Sequence, residues 1–230
     1  MENQIPTPVT GTNKSLIPAS IIFAGIIIAG AVIYSTGERQ IVQNNQPAKL
    51  VAPTVDDDVI LGEADAPVTI IEFGDYECPY CEVFYKETEE QIRRKYIETG
   101  KVKMVYRDFP LDKHPSAMPA ALAAQCAGDQ GKYWAYHDAL FDRQAQLATM
   151  DYTALAKELG LNEKTFKSCL DSRKYENEVK KDYQDGVRAG VKGTPAFFIN
   201  GIFIEGAYPY EDFEKVIEAA LAKTELNFIN

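Results

Sequence analysis

Residues Glu72 to Phe84, EFGDYECPYCEVF, place Cys78 and Cys81 three positions apart where one sequence pattern replaces another. The preceding run APVTIIEF (66–73) is apolar and β-branched, as in a short buried strand, and the residues after Cys78 follow a helical pattern as far as Gly100. The run KVKMVYRDF (101–109) then alternates like a strand. The order strand, helix, strand predicts two parallel strands joined by a right-handed crossover.

The rest of the chain completes one α/β domain. Residues from about 113 to 189 follow helical patterns that are separated by glycines or by helix-starting residues. Strand character returns in TPAFFINGIFIEG (194–206), where Asn200 and Gly201 between two apolar runs predict a β-hairpin. An amphipathic helix follows. The sequence therefore predicts a domain over residues 59–230 with the order β-α-β, a helical insertion at about 113–189, and β-β-α.

The N-terminal part of the chain predicts attachment to a membrane. Residues 16–35 carry no charge, and this length is about what the hydrocarbon core of a bilayer requires of a helix. A lysine precedes the segment and Glu38 is the first charge after it, which favours residues 1–15 as a short cytoplasmic tail. We predict a transmembrane signal-anchor at 16–35 and a flexible linker at 36–58. The alternative is a signal peptide cleaved near Ala29 to Ala31, and either one takes the domain out of the cytoplasm.

Composition narrows the function. The formal net charge is −10 and no long lysine or arginine cluster is present, so we predict no nucleic-acid partner. The four cysteines form an even set, which outside the cytoplasm is compatible with disulfide bonds. The sequence has no metal-binding or nucleotide-binding motif, and we predict neither a metal site nor a cofactor.

The close pair of cysteines has three chemical interpretations. Structural zinc normally needs two close pairs of ligands, and only one exists here. A passive disulfide across so small a loop would constrain the unfolded chain little. Redox chemistry fits better, because Cys78 falls at a predicted helix start, where unpaired N–H groups and the helix dipole stabilise a thiolate, and Pro79 suits the first turn. Cys78 is therefore the predicted nucleophile and Cys81 the resolving thiol.

The strand pattern adds two candidates. Glu72 shares a face with the apolar residues two and four positions before it, so it is either a buried carboxylate beneath the cysteines or part of an exposed edge. If it is buried, desolvation raises its pKa and suits it to accept a proton from Cys81. Thr194 and Pro195 open a later strand, at a position compatible with a cis peptide bond.

Taken in order, APVTIIEFGDYECPYC (66–81), the helical insertion, GVKGTPAFFING (190–201) and the final helix resemble the thioredoxin-fold thiol:disulfide oxidoreductases of the DsbA family, and look closest to its membrane-tethered envelope members. The resemblance covers about residues 56–224. A CxxC motif followed by a downstream Gly-Thr-Pro is a specific combination, whereas either alone is a weak signal.

The resemblance implies roles for five residues. Cys78 matches the exposed, attacking cysteine of the family, Cys81 matches the buried one, and Glu72 matches the acidic residue under the active site. Thr194 and Pro195 match the cis-proline loop, which packs beside the disulfide and offers backbone groups to an extended substrate. The fold implied by the resemblance also places the helical insertion over the active-site side of the sheet.

The dipeptide Pro79-Tyr80 departs from DsbA, which has a histidine between its cysteines. Tyr80 brings no positive charge, and the nearby Asp75 and Glu77 disfavour a thiolate. We therefore expect the pKa of Cys78 to be below that of a free cysteine and above that of the DsbA cysteine.

Cys126 and Cys169 lie in separate predicted helices of the insertion. The oxidising compartment favours a structural disulfide between them, and the alternative is two buried free thiols.

The overall expectation is an oxidase, anchored in the cytoplasmic membrane with its domain on the extracytoplasmic side of a bacterial envelope. It would donate the Cys78–Cys81 disulfide to exported proteins and be reoxidised by a quinone-linked membrane protein. The alternatives are a tethered reductase or isomerase, and a thioredoxin-like binding module without catalysis.

Overall fold

A four-stranded mixed sheet organises the domain in the computed structural model, which describes residues 52–229, with side chains up to residue 224. The strands lie in the order β2-β1-β3-β4. β1 and β2 are parallel, whereas β3 runs antiparallel to both β1 and β4. The parallel pair confirms the β-α-β unit that the sequence predicts. The strands are β1 (Val68–Gly74), β2 (Val102–Asp108), β3 (Ala196–Ile199) and β4 (Ile202–Glu205).

Helix α1 joins β1 to β2 and departs twice from α-helical geometry. It consists of the α-helical segment Pro79–Phe84, the π-helical turn Tyr85–Glu89, the short α-helical segment Glu90–Ile92 and a second π-helical turn, Arg93–Ile97. π-helical turns are rare and occur frequently at functional sites. The first of them carries Glu89, which is buried.

The chain between β2 and β3 is helical, as the sequence predicts. It forms α2 (Ala117–Gly128), α3 (Tyr133–Asp142), a 3₁₀ turn (Gln144–Thr149), α4 (Tyr152–Glu158), α5 (Glu163–Asp171) and α6 (Glu176–Ala189). Asp151 and Asn162 start α4 and α5, because their side chains accept hydrogen bonds from N–H groups of the first turn. α7 (Tyr210–Ile229) follows the hairpin and completes the predicted order.

Both faces of the sheet are covered. One face packs apolar side chains such as Ile70 and Phe197 against α1 and Phe213 of α7. The other face packs Phe73 and Phe198 against the chain that follows β2 and the end of α6. A third cluster joins the insertion to the loop after β1 and includes both cysteines of the CxxC motif. The insertion therefore packs over the active-site end of the sheet.

The predicted hairpin is confirmed between β3 and β4. Asn200 and Gly201 both have positive φ angles, 45° and 85°, as the two central residues of a tight hairpin turn require. The Asn200 side chain also ties the turn to the sheet, because its Oδ1 accepts a hydrogen bond from the Thr69 N–H at 2.8 Å.

Residues 52–58 differ from the flexible linker that the sequence predicts. Val55 packs on one face of the sheet. The Asp58 side chain is only 7% exposed, and its Oδ2 lies 2.8 Å from Nη2 of Arg107. The same Nη2 donates a hydrogen bond to the Thr54 carbonyl oxygen at 2.9 Å. The linker prediction is wrong for these residues because Arg107, only 2% exposed in β2, requires counter-charges that the acidic run supplies.

The predicted tail at 1–15, the anchor at 16–35 and the linker up to residue 51 lie outside the described residues. Within residues 52–229, none of the helices combines the length and the apolar character needed to cross a bilayer.

Candidate active site

Cys78 is the N-cap residue of α1, just beyond the carboxyl end of β1. Its backbone is extended (φ −75°, ψ 121°), and its carbonyl oxygen accepts hydrogen bonds from the N–H groups of Cys81 at 3.1 Å and Glu82 at 3.2 Å. Pro79 occupies the first helical turn, where the missing N–H would have no intrahelical partner in any case. Cys78 and Cys81 are both free thiols. The helix start therefore holds the first sulfur at the positive end of the helix dipole.

The two thiols have opposite acidities. A hydrogen bond from the Cys81 thiol, assisted by the N–H groups of Cys81 and Tyr80, lowers the pKa of Cys78 to about 5 against the effect of burial. Burial raises the pKa of Cys81 well above its ordinary value, and its hydrogen bond to Cys78 and the nearby Glu72 carboxyl act in the same direction. The arrangement thus stabilises a thiolate at Cys78 and a thiol at Cys81.

Access to Cys78 is restricted to a cleft. Only 3% of the residue is exposed, so the exposed cysteine that the resemblance implies is not what the structure has. The sulfur lies 3.3 Å from the carbonyl oxygen of Thr194, whose loop covers it. A cleft of about 580 Å³, bounded by Tyr80 and by the loops 111–114 and 192–194, opens beside Cys78. A substrate cysteine has to enter this cleft to reach the sulfur.

The loop before β3 forms one wall of the site. The Thr194–Pro195 peptide bond is cis, and the Pro195 carbonyl oxygen accepts a hydrogen bond from the Gly206 N–H at 2.8 Å. At Gly193 no atom lies within 4 Å of the position that a Cβ would occupy, so the backbone there faces open space. The loop lies beside the thiols, where the resemblance places it, and leaves backbone accessible to a bound chain.

Glu72 lies on a buried face of the sheet. It is 1% exposed, and its position in β1 sets it opposite Tyr106 and Phe197. Burial, and next the Glu89 carboxylate, raise its pKa well above the ordinary value, while Arg93 opposes the shift. Its Oε2 has no hydrogen-bond partner in the part of the chain that the structure describes. Of the two placements that the strand pattern leaves open, the structure has the buried one.

A chain of charged groups leads from this region towards the surface. Glu89, also 1% exposed, forms an ion pair with Arg93 at 2.6 Å, and Arg93 donates two hydrogen bonds to the carboxylate of Asp138 in α3 at 2.7 and 2.9 Å. Among residues 52–229, Glu89, Asp138 and the buried His137 form the one group whose ligand atoms, within 4.8 Å of one another, could hold a metal ion. Since Arg93 already forms ion pairs with both carboxylates, we interpret the group as an ion-pair network.

Gln144 is a residue of the site that the sequence analysis missed. It begins the 3₁₀ turn of the insertion, and its Nε2 donates hydrogen bonds to the carbonyl oxygens of Tyr76 at 2.9 Å and Cys78 at 3.0 Å. This side chain ties the insertion to the start of α1. A lone glutamine 66 residues away from its partner gives no signal in the sequence.

The acidic residues of the active-site loop are engaged in hydrogen bonds. Asp75 Oδ2 lies 2.7 Å from Nδ1 of His114, and the Glu77 carboxylate accepts a hydrogen bond from the Ser116 N–H. The sequence predicts that both carboxylates oppose a thiolate, but neither is a main determinant of the Cys78 pKa. Their charges serve to hold the loop after β2 against the active-site loop.

Cys126 and Cys169 are joined by a disulfide bond between α2 and α5, with their Cα atoms 5.8 Å apart. This is the expected pairing, and the alternative of two free thiols is not what the structure has. The bond lies within the insertion, so it stabilises the unit that covers the active-site end of the sheet.

Comparisons with known proteins agree with this geometry. The model of the family described as Thioredoxin matches residues 54–219. Disulfide bond formation protein D of Bacillus subtilis (strain 168) is 30% identical over 177 residues, which cover 74% of this chain and 79% of that protein. Among solved structures, oxidised BdbD from Bacillus subtilis aligns with a TM-score of 0.69 and 28% identity over 74% of this chain and 96% of that one. Wolbachia pipientis alpha-DsbA1 aligns with a TM-score of 0.67 and 25% identity over 79% and 98% of the two chains.

Some curated relatives are much longer than this chain. Na(+)/H(+) antiporter NhaA 1 of Salinispora arenicola is 37% identical over 172 residues, which are 74% of this chain and 26% of that protein. The chain therefore spans about a quarter of such relatives.

The mixed sheet, the CxxC motif at a helix start and the adjacent cis-proline loop define a thioredoxin-like α/β fold. The chain belongs to the thioredoxin family, and within it to the DsbA family of thiol:disulfide oxidoreductases. The family resemblance seen in the sequence is thereby confirmed.

Proposed function

We propose that this protein is an oxidase that donates the disulfide formed by Cys78 and Cys81 to cysteine-containing exported proteins. The observation that carries the proposal is the position of Cys78 at the start of α1 beside the buried Cys81, which shifts the pKa values of the two thiols in opposite directions. A stabilised Cys78 thiolate favours the reduced pair, so the oxidised pair gives up its disulfide readily. With a pKa of about 5 instead of 9.0, ionisation of Cys78 at pH 7 stabilises the reduced pair by about 2.7 kcal/mol, which corresponds to roughly 60 mV.

Donation proceeds by two thiol–disulfide exchanges. A substrate thiolate enters the cleft and attacks the Cys78 sulfur, which forms a mixed disulfide and breaks the bond to Cys81. Cys81 leaves with the electron pair and takes up a proton. A second substrate thiolate then attacks the substrate sulfur of the mixed disulfide, and Cys78 leaves as the stabilised thiolate. The substrate gains one disulfide and the protein retains two reduced cysteines.

Glu72 is the proposed proton donor and acceptor for Cys81. Its raised pKa keeps the carboxyl protonated at pH values where an exposed glutamate is ionised, so it can protonate Cys81 as that sulfur leaves. During reoxidation the flow is reversed. The Cys78 thiolate attacks the disulfide of a partner, Glu72 removes the proton from Cys81, and Cys81 attacks the Cys78 sulfur to release the partner in its reduced form. The proposed partner is a quinone-linked membrane protein.

The extracytoplasmic location is also part of the proposal. It is supported by the Cys126–Cys169 disulfide, because such bonds persist in oxidising compartments. It is supported as well by the uncharged segment at residues 16–35, which would anchor the domain to the cytoplasmic membrane. Residues 36–51 would tether the domain, and residues 52–58 belong to it by their packing.

Disulfide transfer to a peptide tests the proposal. The oxidised chain is mixed with an equimolar, reduced peptide that contains two cysteines, and acid quenching, alkylation and mass analysis follow. We expect most of the Cys78–Cys81 disulfide to appear in the peptide. In a second reaction, a single-cysteine peptide that carries glutathione as a mixed disulfide supplies the disulfide. We expect the Cys78 thiolate of a C81S variant to displace glutathione and accumulate the mixed disulfide with the peptide, while C78S forms none. An equilibrium that leaves the peptide reduced would contradict the oxidase assignment and favour a reductase or isomerase.

A further inference from the structure

The cleft beside Cys78 is bounded by two lysines that arise from separate loops. The loop 111–114 follows β2 and the loop 192–194 precedes β3; because β1 lies between these strands, the two loops flank the cysteine. Lys113 and Lys192, one from each loop, are exposed and line the cleft. The chain as a whole carries a formal net charge of −10, so this pair of cations is opposite in sign to its surroundings.

Neither lysine is neutralised within the domain. In residues 52–229, Lys113 and Lys192 form no ion pair with a carboxylate, whereas Lys181, for comparison, contacts three. An exposed cation at the mouth of a binding cleft remains available to a ligand of opposite charge.

The acidic groups at the same cleft do not cancel the two lysines. Asp75 is 2% exposed and binds the Leu111 N–H and the His114 ring. Glu77 is held by the Ser116 N–H. Among the residues that line the cleft, Asp112 is the one exposed carboxylate. Among the exposed groups that line the cleft there are therefore two positive charges and one negative charge, while Asp75 and Glu77 are engaged in hydrogen bonds with the protein.

We propose that this cleft selects extended segments that carry an aspartate or glutamate within about three residues of the reactive cysteine. The inference rests on the proposed function and narrows its substrates to acidic cysteine-containing segments. An extended chain advances about 3.3 Å per residue, so side chains on both sides of the substrate cysteine pass the two loops. The open backbone at Gly193 gives such a segment room to lie against the wall. The exchange chemistry is unchanged, since the lysines contact the substrate and not the sulfurs.

The test compares three reduced peptides that differ only at the positions flanking one cysteine, which are Glu, Gln or Lys. Their rates with the oxidised full chain are measured by stopped flow at low salt. Each rate is divided by the rate of the same peptide with the uncharged 2-hydroxyethyl disulfide, which removes the effect of the flanking charge on the peptide's own thiol pKa. We expect the Glu peptide to exceed the Gln peptide by about 1.4- to 5-fold per lysine contact, the range for exposed ion pairs, and the Lys peptide to be slowest. Salt of about 1 M should remove most of the difference.

Matched variants separate the effect of the two cleft lysines from the effect of the net charge of the protein. K113Q/K192Q should bring the corrected Glu-to-Lys ratio close to one. K132Q/K164Q, which changes the net charge equally at exposed lysines outside the cleft lining, should keep the wild-type ratio. Equal rates for the three peptides, or an equal loss of selectivity in both double variants, would overturn the inference. If none of the peptides is oxidised, the proposed function itself fails, so the two failures are distinguishable.

Discussion

Replacing Cys81 by alanine removes the hydrogen-bond donor that contributes most to the low pKa of Cys78. A hydrogen bond to an ionised group contributes roughly 1.5 to 3 kcal/mol. Because a thiol is a weak donor, we take the lower end, about 1.5 kcal/mol, which corresponds to about one pKa unit. We therefore expect the pKa of Cys78 to rise from about 5 to roughly 6 in C81A. The helix start and its N–H groups remain, so the pKa stays below the ordinary value.

The assay is the rate of Cys78 alkylation by iodoacetamide as a function of pH. At pH 5.5 the thiolate fraction falls about three-fold for a shift of one unit. Because the intrinsic nucleophilicity of a thiolate rises with its pKa, the shift is read from the midpoint of the pH profile and not from the rate at one pH. The control is C81S, because a serine hydroxyl retains a donor at the same position and should keep the pKa near that of the wild type. Equal pKa values in C81A and C81S would refute the idea that this hydrogen bond activates Cys78.

Three further substitutions test other parts of the account. E72Q removes the carboxyl group that exchanges a proton with Cys81, so reoxidation of the Cys78–Cys81 pair, followed by stopped flow, should slow at least about ten-fold. An unchanged rate would exclude proton exchange by Glu72. C126S/C169S opens a loop of 43 residues and should lower the free energy of unfolding in urea by about 4 kcal/mol; no change would mean that the bond is not stabilising. Burial raises the pKa of Asp182 to about 9, so the unfolded chain loses this proton at a lower pH than the folded chain does. The carboxyl group therefore lowers the stability of the fold increasingly from about pH 4 to 9. D182N should therefore gain stability over the wild type as the pH rises through that range, and parallel stability curves would contradict this.

The parts of the fold that sequence predicts well are those fixed by local chemistry. Asn200 and Gly201 define their hairpin because few residue pairs adopt two consecutive positive φ angles. Cys78 and Pro79 lie at a helix start because the strand-like run before them ends there. The strand alternation places Glu72 on one face, but only the fold decides that this face is covered.

The parts that sequence does not predict depend on contacts between distant residues. Gln144 reaches Cys78 across 66 positions, and the link from Glu89 through Arg93 to Asp138 requires both a π-helical turn and the packing of α3. The burial of Cys78 follows from the loop around Thr194, whose position is set by the sheet. None of these contacts has a local sequence pattern.

The packing of residues 52–58 has a similar origin. An acidic run in a polar segment is usually solvated, and nothing near it in the sequence indicates otherwise. Arg107 changes this, because a guanidinium buried in β2 binds Asp58 and Asp56 at 2.8 and 2.5 Å. The N-terminal boundary of the domain thus depends on the positive charge of Arg107, which lies within β2.

The most direct test of the central claim is the reduction potential of the Cys78–Cys81 pair, measured by equilibrating the full chain with glutathione buffers. A Cys78 pKa of about 5 lies between those of thioredoxin, about 7, and DsbA, about 3.5. We therefore expect a potential between the roughly −270 mV of thioredoxin and the roughly −120 mV of DsbA. A value at or below that of thioredoxin would contradict the account, because a pair that is so hard to reduce cannot serve as a disulfide donor.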